Sequence, residues 1–236
     1  VLLAAPGDFI VPGIMDYCLG MPSNACTAND VDLGVFYVMN IPACQDDGTG
    51  TLKADVTFRV TLDTTSNERY DIGMFISTDG GNAKTDGVAK GLTCYHAYLY
   101  PDETDGTFVA DGGPFRDLDG DVCGDTRSTS VDGIVTAYLG TITIKCTNTS
   151  GTGYMDSVSA CSAWEQNKNQ VCNGINDTRP GTTAKCYCES VPINPPIPIS
   201  QIVVRKVTDP DPDPYSTDFS FTVNRPDYDK TLGILE

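Results

Sequence analysis

The chain has 236 residues, is 40% hydrophobic, and carries a formal net charge of −17 from 15 basic and 32 acidic side chains. That apolar content can build a core, so cross-links reinforce the core instead of replacing it. No Lys/Arg-rich run occurs, which disfavours nucleic-acid binding by phosphate neutralisation, and no stretch of ~18 or more apolar residues offers a membrane span.

In chain order, the sequence begins Val1-Leu2-Leu3-Ala4-Ala5 without Met, like the tail of a signal peptide or the cut edge of a longer chain. Alternation of apolar and polar residues then dominates. Residues 31–39 place Val31, Leu33, Val35, Tyr37 and Met39 on one face. Residues 53–62 form the cleanest strand, with Ala54, Val56, Phe58, Val60 and Leu62 inward and Lys53, Asp55, Thr57, Arg59 and Thr61 outward. A second strand puts Tyr70, Ile72, Met74 and Ile76 inward, and the two read as a hairpin with a loop of about five residues. In residues 131–146 the inward set is Ile134, Thr136, Tyr138, Ile142, Ile144 and Cys146, with a bulge expected at Gly140. No segment has a helical period; the nearest candidate is Ser162 to Gln170, anchored by Trp164.

These elements predict an all-β fold: a disulfide-stapled antiparallel β-sandwich over residues 1–190. The stretch VPINPPIPIS at 191–200 reads as a stiff, extended proline-rich linker rather than an SH3-type ligand. Residues 201–236 supply terminal strands that pair outside the main domain or begin a second β domain, because two strands alone make no stable sheet. Ile202, Val204, Phe219 and Phe221 are the apolar residues expected to mediate assembly.

Ten cysteines stand at Cys18, Cys26, Cys44, Cys94, Cys123, Cys146, Cys161, Cys172, Cys186 and Cys188. An even, dispersed set fits paired, oxidised thiols and an extracellular or cell-surface location. Connectivity stays open from sequence. Cys18–Cys26 and Cys161–Cys172 are short loops compatible with closure, whereas Cys186 and Cys188 are too close for an unstrained direct bond and should reach two different partners.

The segment IVVRKVTDPDPDPYSTDFSFTV, with Lys206 and the Phe219/Phe221 pair, resembles the opening of prealbumin-like (Cna-B or SdrD-B-like) modules of bacterial surface proteins. The stretches CTANDV at 26–31, RYDIGMFISTDGG at 69–81 and DLDGDVCGD at 117–125 are similar to a cysteine-rich module that precedes such domains in large secreted bacterial proteins. The resemblance implies location and architecture, not an activity. In some members a strand Lys forms an isopeptide bond with a late-strand Asn; Lys206 matches the first position by type, and its partner would lie past Glu236.

Among groups that carry chemistry, His96 is the only histidine. It stands two residues from Cys94, so both share a strand face, but a disulfide-bonded Cys94 and a structural His96 are expected, and no enzyme activity is predicted. Asp117, Asp119 and Asp121 with the nearby Asp125 form an oxygen-rich set suited to Ca2+, though without the EF-hand spacing. A second loop, Asp79-Gly80-Gly81 with Asp86, is a weaker cation candidate. Cys186-x-Cys188 lacks a zinc-type spacing. Asn148 and Asn176 head N-glycosylation acceptor patterns. Tyr95, Tyr98 and Tyr100 either form a sugar-stacking platform or divide between core and surface. The expected function is that of a structural extracellular protein, a subunit of a filament or surface fibre assembled by strand pairing between subunits. Its partners are then a homo-polymer or neighbouring modules of a larger chain. The alternative is a Ca2+-dependent adhesin module that binds glycans.

Overall fold

The structure, a computed structural model, describes residues 9–10, 13–40, 42–99, 115–116, 118–128, 135–148, 150–181, 185–199, 222–225 and 228–231. The chain divides into two units, Val1–Gln201 and Ile202–Glu236. The first contains strands β1 (Phe9–Ile10), β2 (Gly13–Asp16), β3 (Val31–Val38), β4 (Gln45–Asp46), β5 (Leu52–Thr64), β6 (Glu68–Ser77), β7 (Cys94–Tyr98), β8 (Phe115–Arg116), β9 (Asp125–Arg127), β10 (Val135–Lys145), β11 (Tyr154–Glu165) and β12 (Lys185–Pro198). Two 3₁₀ turns, η1 (Val88–Lys90) and η2 (Ile175–Thr178), complete it.

The main hydrogen-bonded path runs β1-β10-β5-β3-β12-β11-β6-β7-β2. Its two ends, β1 and β2, are consecutive strands in the sequence, and the sheet is nearly closed. The expected purely antiparallel sheet is in fact mixed, because β1 joins β10 and β12 joins β3 in parallel. The short β12–β3 contact joins the two halves of this path, and inward side chains of both halves build one core. Phe36, Val56, Phe58, Val60, Leu62, Leu139, Ile142 and Ile144 from one half meet Ile72, Met74, Ile76, Trp164, Val191 and Ile193 from the other.

β5 matches its alternation throughout: Ala54, Val56, Phe58, Val60 and Leu62 are all buried. The predicted hairpin with β6 does not form. β5 pairs with β10, β3 and β4, whereas β6 pairs with β11, β7 and β9. The chain therefore crosses from one half of the sheet to the other after Thr64, and inward residues of both strands still meet in the core.

Bulges explain where the inward sets change. In β3 the register shifts between Leu33 and Phe36, where the Val35 amide donates to Thr61 Oγ1 at 3.0 Å. Phe36 then points inward and Tyr37 is exposed, the reverse of the uninterrupted alternation. In β10 the expected irregularity does fall at Gly140, whose φ is +76°. Before it, however, Ala137 and Leu139 are the buried residues, not Thr136 and Tyr138. Trp164 is a fully buried strand residue of β11, so the helical candidate is overturned through residue 165.

The proline-rich stretch is likewise strand, not spacer. Residues 191–198 form the second half of β12, with Val191, Ile193 and Ile197 buried. Between Ile197↔Met155 and Pro192↔Ser157 the register slips. Pro195 and Pro196 fall in that irregularity, where a missing N–H costs no ladder hydrogen bond.

All ten cysteines are paired: Cys18–Cys94, Cys26–Cys186, Cys44–Cys146, Cys123–Cys172 and Cys161–Cys188. Cys186 and Cys188 do reach different partners, but the short loops Cys18–Cys26 and Cys161–Cys172 are not formed. The bridges instead join residues 27 to 160 positions apart. No described helix is long and apolar enough to cross a membrane.

The second unit contains an antiparallel pair, β13 (Thr222–Arg225) and β14 (Tyr228–Thr231), with Val223 opposite Lys230. The expected assembly residues Ile202, Val204, Phe219 and Phe221, like Lys206, lie outside the described residues.

Candidate metal centre

β6 is buried on both faces from Tyr70 to Ser77. One face enters the core. The other is covered by loops, and disulfides hold that covering layer. Phe75, Ala83 and Ala163 cluster with Cys18, Cys26, Cys94, Cys161 and Cys186. Tyr98 clusters with Cys123 and Cys172. Four of the five bridges thus belong to this layer. Backbone bonds tie it further: Leu19 and Met21 amides donate to Ala83 and Lys84 carbonyls at 3.0 and 2.7 Å.

Two polar constellations sit under this cover. The first surrounds His96. Its Nδ1 lies 3.0 Å from Asp16 Oδ2 and its Nε2 3.0 Å from Thr178 Oγ1. The ring stacks on Phe75 at 4.0 Å, and the Arg179 guanidinium lies 5.1 Å from the Phe75 centroid. Arg179 also donates to Asp16 Oδ2 at 2.7 Å. Burial pushes His96 down to about 4, against the raising effect of Asp16. Burial opposes ionisation of Asp16, but hydrogen bonds from Arg179 and His96 hold its carboxyl below the usual range. With Asp16 ionised, Nδ1 carries the hydrogen of this bond. Cys94, the neighbour that the sequence places on the same face, is bonded to Cys18 and offers no thiolate.

The second constellation is acidic. Asp71, Asp119 and Asp125 each bring a carboxylate oxygen within 4.8 Å of the others. Asp71 is placed there by a bulge. β6 has two residues, Asp71 and Ile72, where β11 has only Trp164. Asp71 takes a left-handed φ of +56°, a conformation that Asp tolerates better than most residues. The bulge turns the Asp71 amide out of the ladder to donate to Asp125 Oδ1 at 3.0 Å. Asp125 Oδ2 accepts from the Leu118 amide at 2.6 Å. Burial, then the charges of Asp121, Asp119, Glu165 and Asp177, push Asp71 up to about 8. Burial also pushes Asp125 up to about 8, although its bonds from the Asp71 and Leu118 amides pull the other way.

The predicted ligand set is therefore only partly brought together. Asp119 and Asp125 converge, and Asp117 lies outside the described residues. Asp121 is not in the group: its Oδ1 accepts from the Cys123 amide at 2.9 Å and its Oδ2 from the Cys172 amide at 2.6 Å, fixing the loop to its disulfide partner. Asp71 is the member that sequence reading misses. Alternation makes it an ordinary outward residue, but the next outward positions, Gly73 and Phe75, are small or apolar, which signals a covered face.

The weaker loop candidate resolves into a turn. Asp79 Oδ1 accepts from Ser77 Oγ and the Gly81 amide, and Asp86 Oδ2 accepts from the Asn82 amide. Cys186 and Cys188 are both consumed in disulfides. Tyr95 donates its hydroxyl to the Leu139 carbonyl at 2.9 Å and Tyr98 is buried, so these two form no exposed platform; Tyr100 is outside the described residues. Asn148 and Asn176 are exposed. A pocket of about 500 Å³ adjoins the acidic group, with Asp71, Glu165, Gln170, Asn173, Asp177 and Arg179 among its lining.

Comparison of the chain with protein-family models, curated proteins and solved structures finds no match.

Proposed function

We propose that the chain is an extracellular or cell-surface structural protein, a unit of a filament or multi-module surface fibre. The observation that carries this reading is the pairing of every cysteine with a partner 27 to 160 positions away in the sequence. Such bridges persist outside the reducing cytosol, and each contributes about 2–4 kcal/mol by limiting the unfolded chain. Glycans at Asn148 and Asn176 would add protease resistance, since both side chains face solvent.

Assembly proceeds through residues 201–236. The first unit leaves few free edges because its sheet nearly closes on itself. β13 and β14 are different: they form a two-stranded sheet that pairs with no other described strand. A two-stranded sheet is marginal in water, so pairing with strands of a neighbouring subunit or module would stabilise it. This favours a fibre over a Ca2+-dependent, glycan-binding adhesin, for which Tyr95 and Tyr98 supply no exposed stacking platform.

The test is deletion of residues 200–236, followed by electron microscopy and sedimentation of the native and truncated proteins. Fibres or oligomers from the full chain that vanish on truncation support strand donation. Assembly unchanged by the deletion removes it.

A further inference from the structure

We propose that Asp71, Asp119 and Asp125 bind one oxygen-preferring divalent cation of the Ca2+ class, tying β6 to the loop at 118–125. Three acidic oxygens within 4.8 Å of one another are not by themselves a site. The independent observation is Asp71. Its residue is only 2% exposed, and its Oδ1 has no hydrogen-bond partner among the described residues. A buried carboxylate oxygen left so is costly, and a cation held among the Asp71, Asp119 and Asp125 carboxylates would satisfy it.

The donor set decides the class of ion. The three ligands are carboxylates, which suit hard cations such as Ca2+, Mg2+ or Mn2+. The nearby sulfurs of Cys123 and Cys172 are bonded to each other, so they are not thiolate ligands for zinc. The only histidine is committed to Asp16 and Thr178.

The ligands are also held in place before any ion arrives. The bulge fixes Asp71, two backbone amides fix Asp125, and the Cys123–Cys172 bridge with Asp121 fixes the loop that carries Asp119. Ca2+ needs six to eight oxygens by general rule. The pocket of about 500 Å³ beside Asp71, with Glu165 and Asp177 also in its wall, would offer an acidic approach and room for water ligands.

The experiment uses the full chain, stripped with chelator and titrated calorimetrically with CaCl2, MgCl2, MnCl2 and ZnCl2. The proposal expects one Ca2+ per chain, a rise in Tm with Ca2+, and affinity lower by roughly tenfold or more in Asp71→Asn and Asp119→Asn. Asp55→Asn, on the outward face of β5, should bind like the native chain. Hydrogen exchange on the unmutated protein keeps the test open if a variant fails to fold: Ca2+ should slow exchange at residues 69–73 and 118–125. Absence of uptake, preference for Zn2+, undiminished binding in folded Asp71→Asn, or protection confined to other segments would overturn the assignment.

Discussion

β5 and β6 follow one another in the chain and both line the same core, yet only β5 has a plain outward face. There Asp55 Oδ1 accepts from Thr143 Oγ1 of β10 at 2.6 Å and the Thr57 and Thr141 hydroxyls bond at 2.8 Å, in exposed surroundings. On β6 the corresponding face holds Asp71, Gly73 and Phe75, all buried. The difference teaches where this molecule keeps its polar chemistry. A one-faced strand is an alternating pattern with solvent on one side. A two-faced strand must find partners for every polar group on its second face, and here those partners are carboxylates, one histidine and a disulfide-bound layer of loops.

The comparison breaks most visibly at Phe75. Its ring is fully buried on that second face against His96. Phe75→Ala should cost about 3–5 kcal/mol in denaturant unfolding, as much as a main-core aromatic. If it costs under ~1 kcal/mol, the loop layer is not a true packing surface.

Acid should act next. His96 is held down to about 4 in the fold, against about 6.5 in an unfolded chain. The unfolded chain therefore takes up the proton first, and stability present above pH ~6.5 is lost as pH falls toward ~4, by up to about 3 kcal/mol. Asp71 and Asp125, pushed up to about 8, run the opposite way in cation-free protein, favouring the fold as pH falls. Comparing the native chain with His96→Gln across this window isolates the histidine: the variant should lack the acid loss.

Gly73→Ala gives a smaller effect. A Cβ at Gly73 would meet the Thr178 carbonyl oxygen at 2.6 Å, and backbone cannot swing aside as a side chain can. A loss of about 1–3 kcal/mol should follow, with faster hydrogen exchange across η2. The smallest effect belongs to the open face of β5, where Thr57→Ala should stay within ~0.5 kcal/mol by thermal melting.

The same contrast explains what the sequence could reveal. The all-β class, the inward set of β5 and the oxidised cysteines were legible because period-2 alternation and an even cysteine count are local signals. The crossing between sheet halves after Thr64 was not: residues 63–67 look like a hairpin turn, and only competition from β3 and β10 for the β5 edges decides otherwise. Bulges at 34–35 and Gly140 each moved an inward set by one residue, and glycine marked only the second clearly. The proline-rich half of β12 read as a spacer because the register irregularity that admits its prolines depends on β11. At the acidic site, Asp119 and Asp125 were visible in one short stretch, whereas Asp71 arrives from 48 residues before Asp119 through a fold-level contact.

The central claim is a covalently locked module, and its most direct test is peptide mapping of the native, unreduced protein by mass spectrometry. The account predicts no alkylatable thiol and the linked pairs Cys18–Cys94, Cys26–Cys186, Cys44–Cys146, Cys123–Cys172 and Cys161–Cys188. Free thiols, or linkage of Cys18 to Cys26 and Cys161 to Cys172, would contradict it.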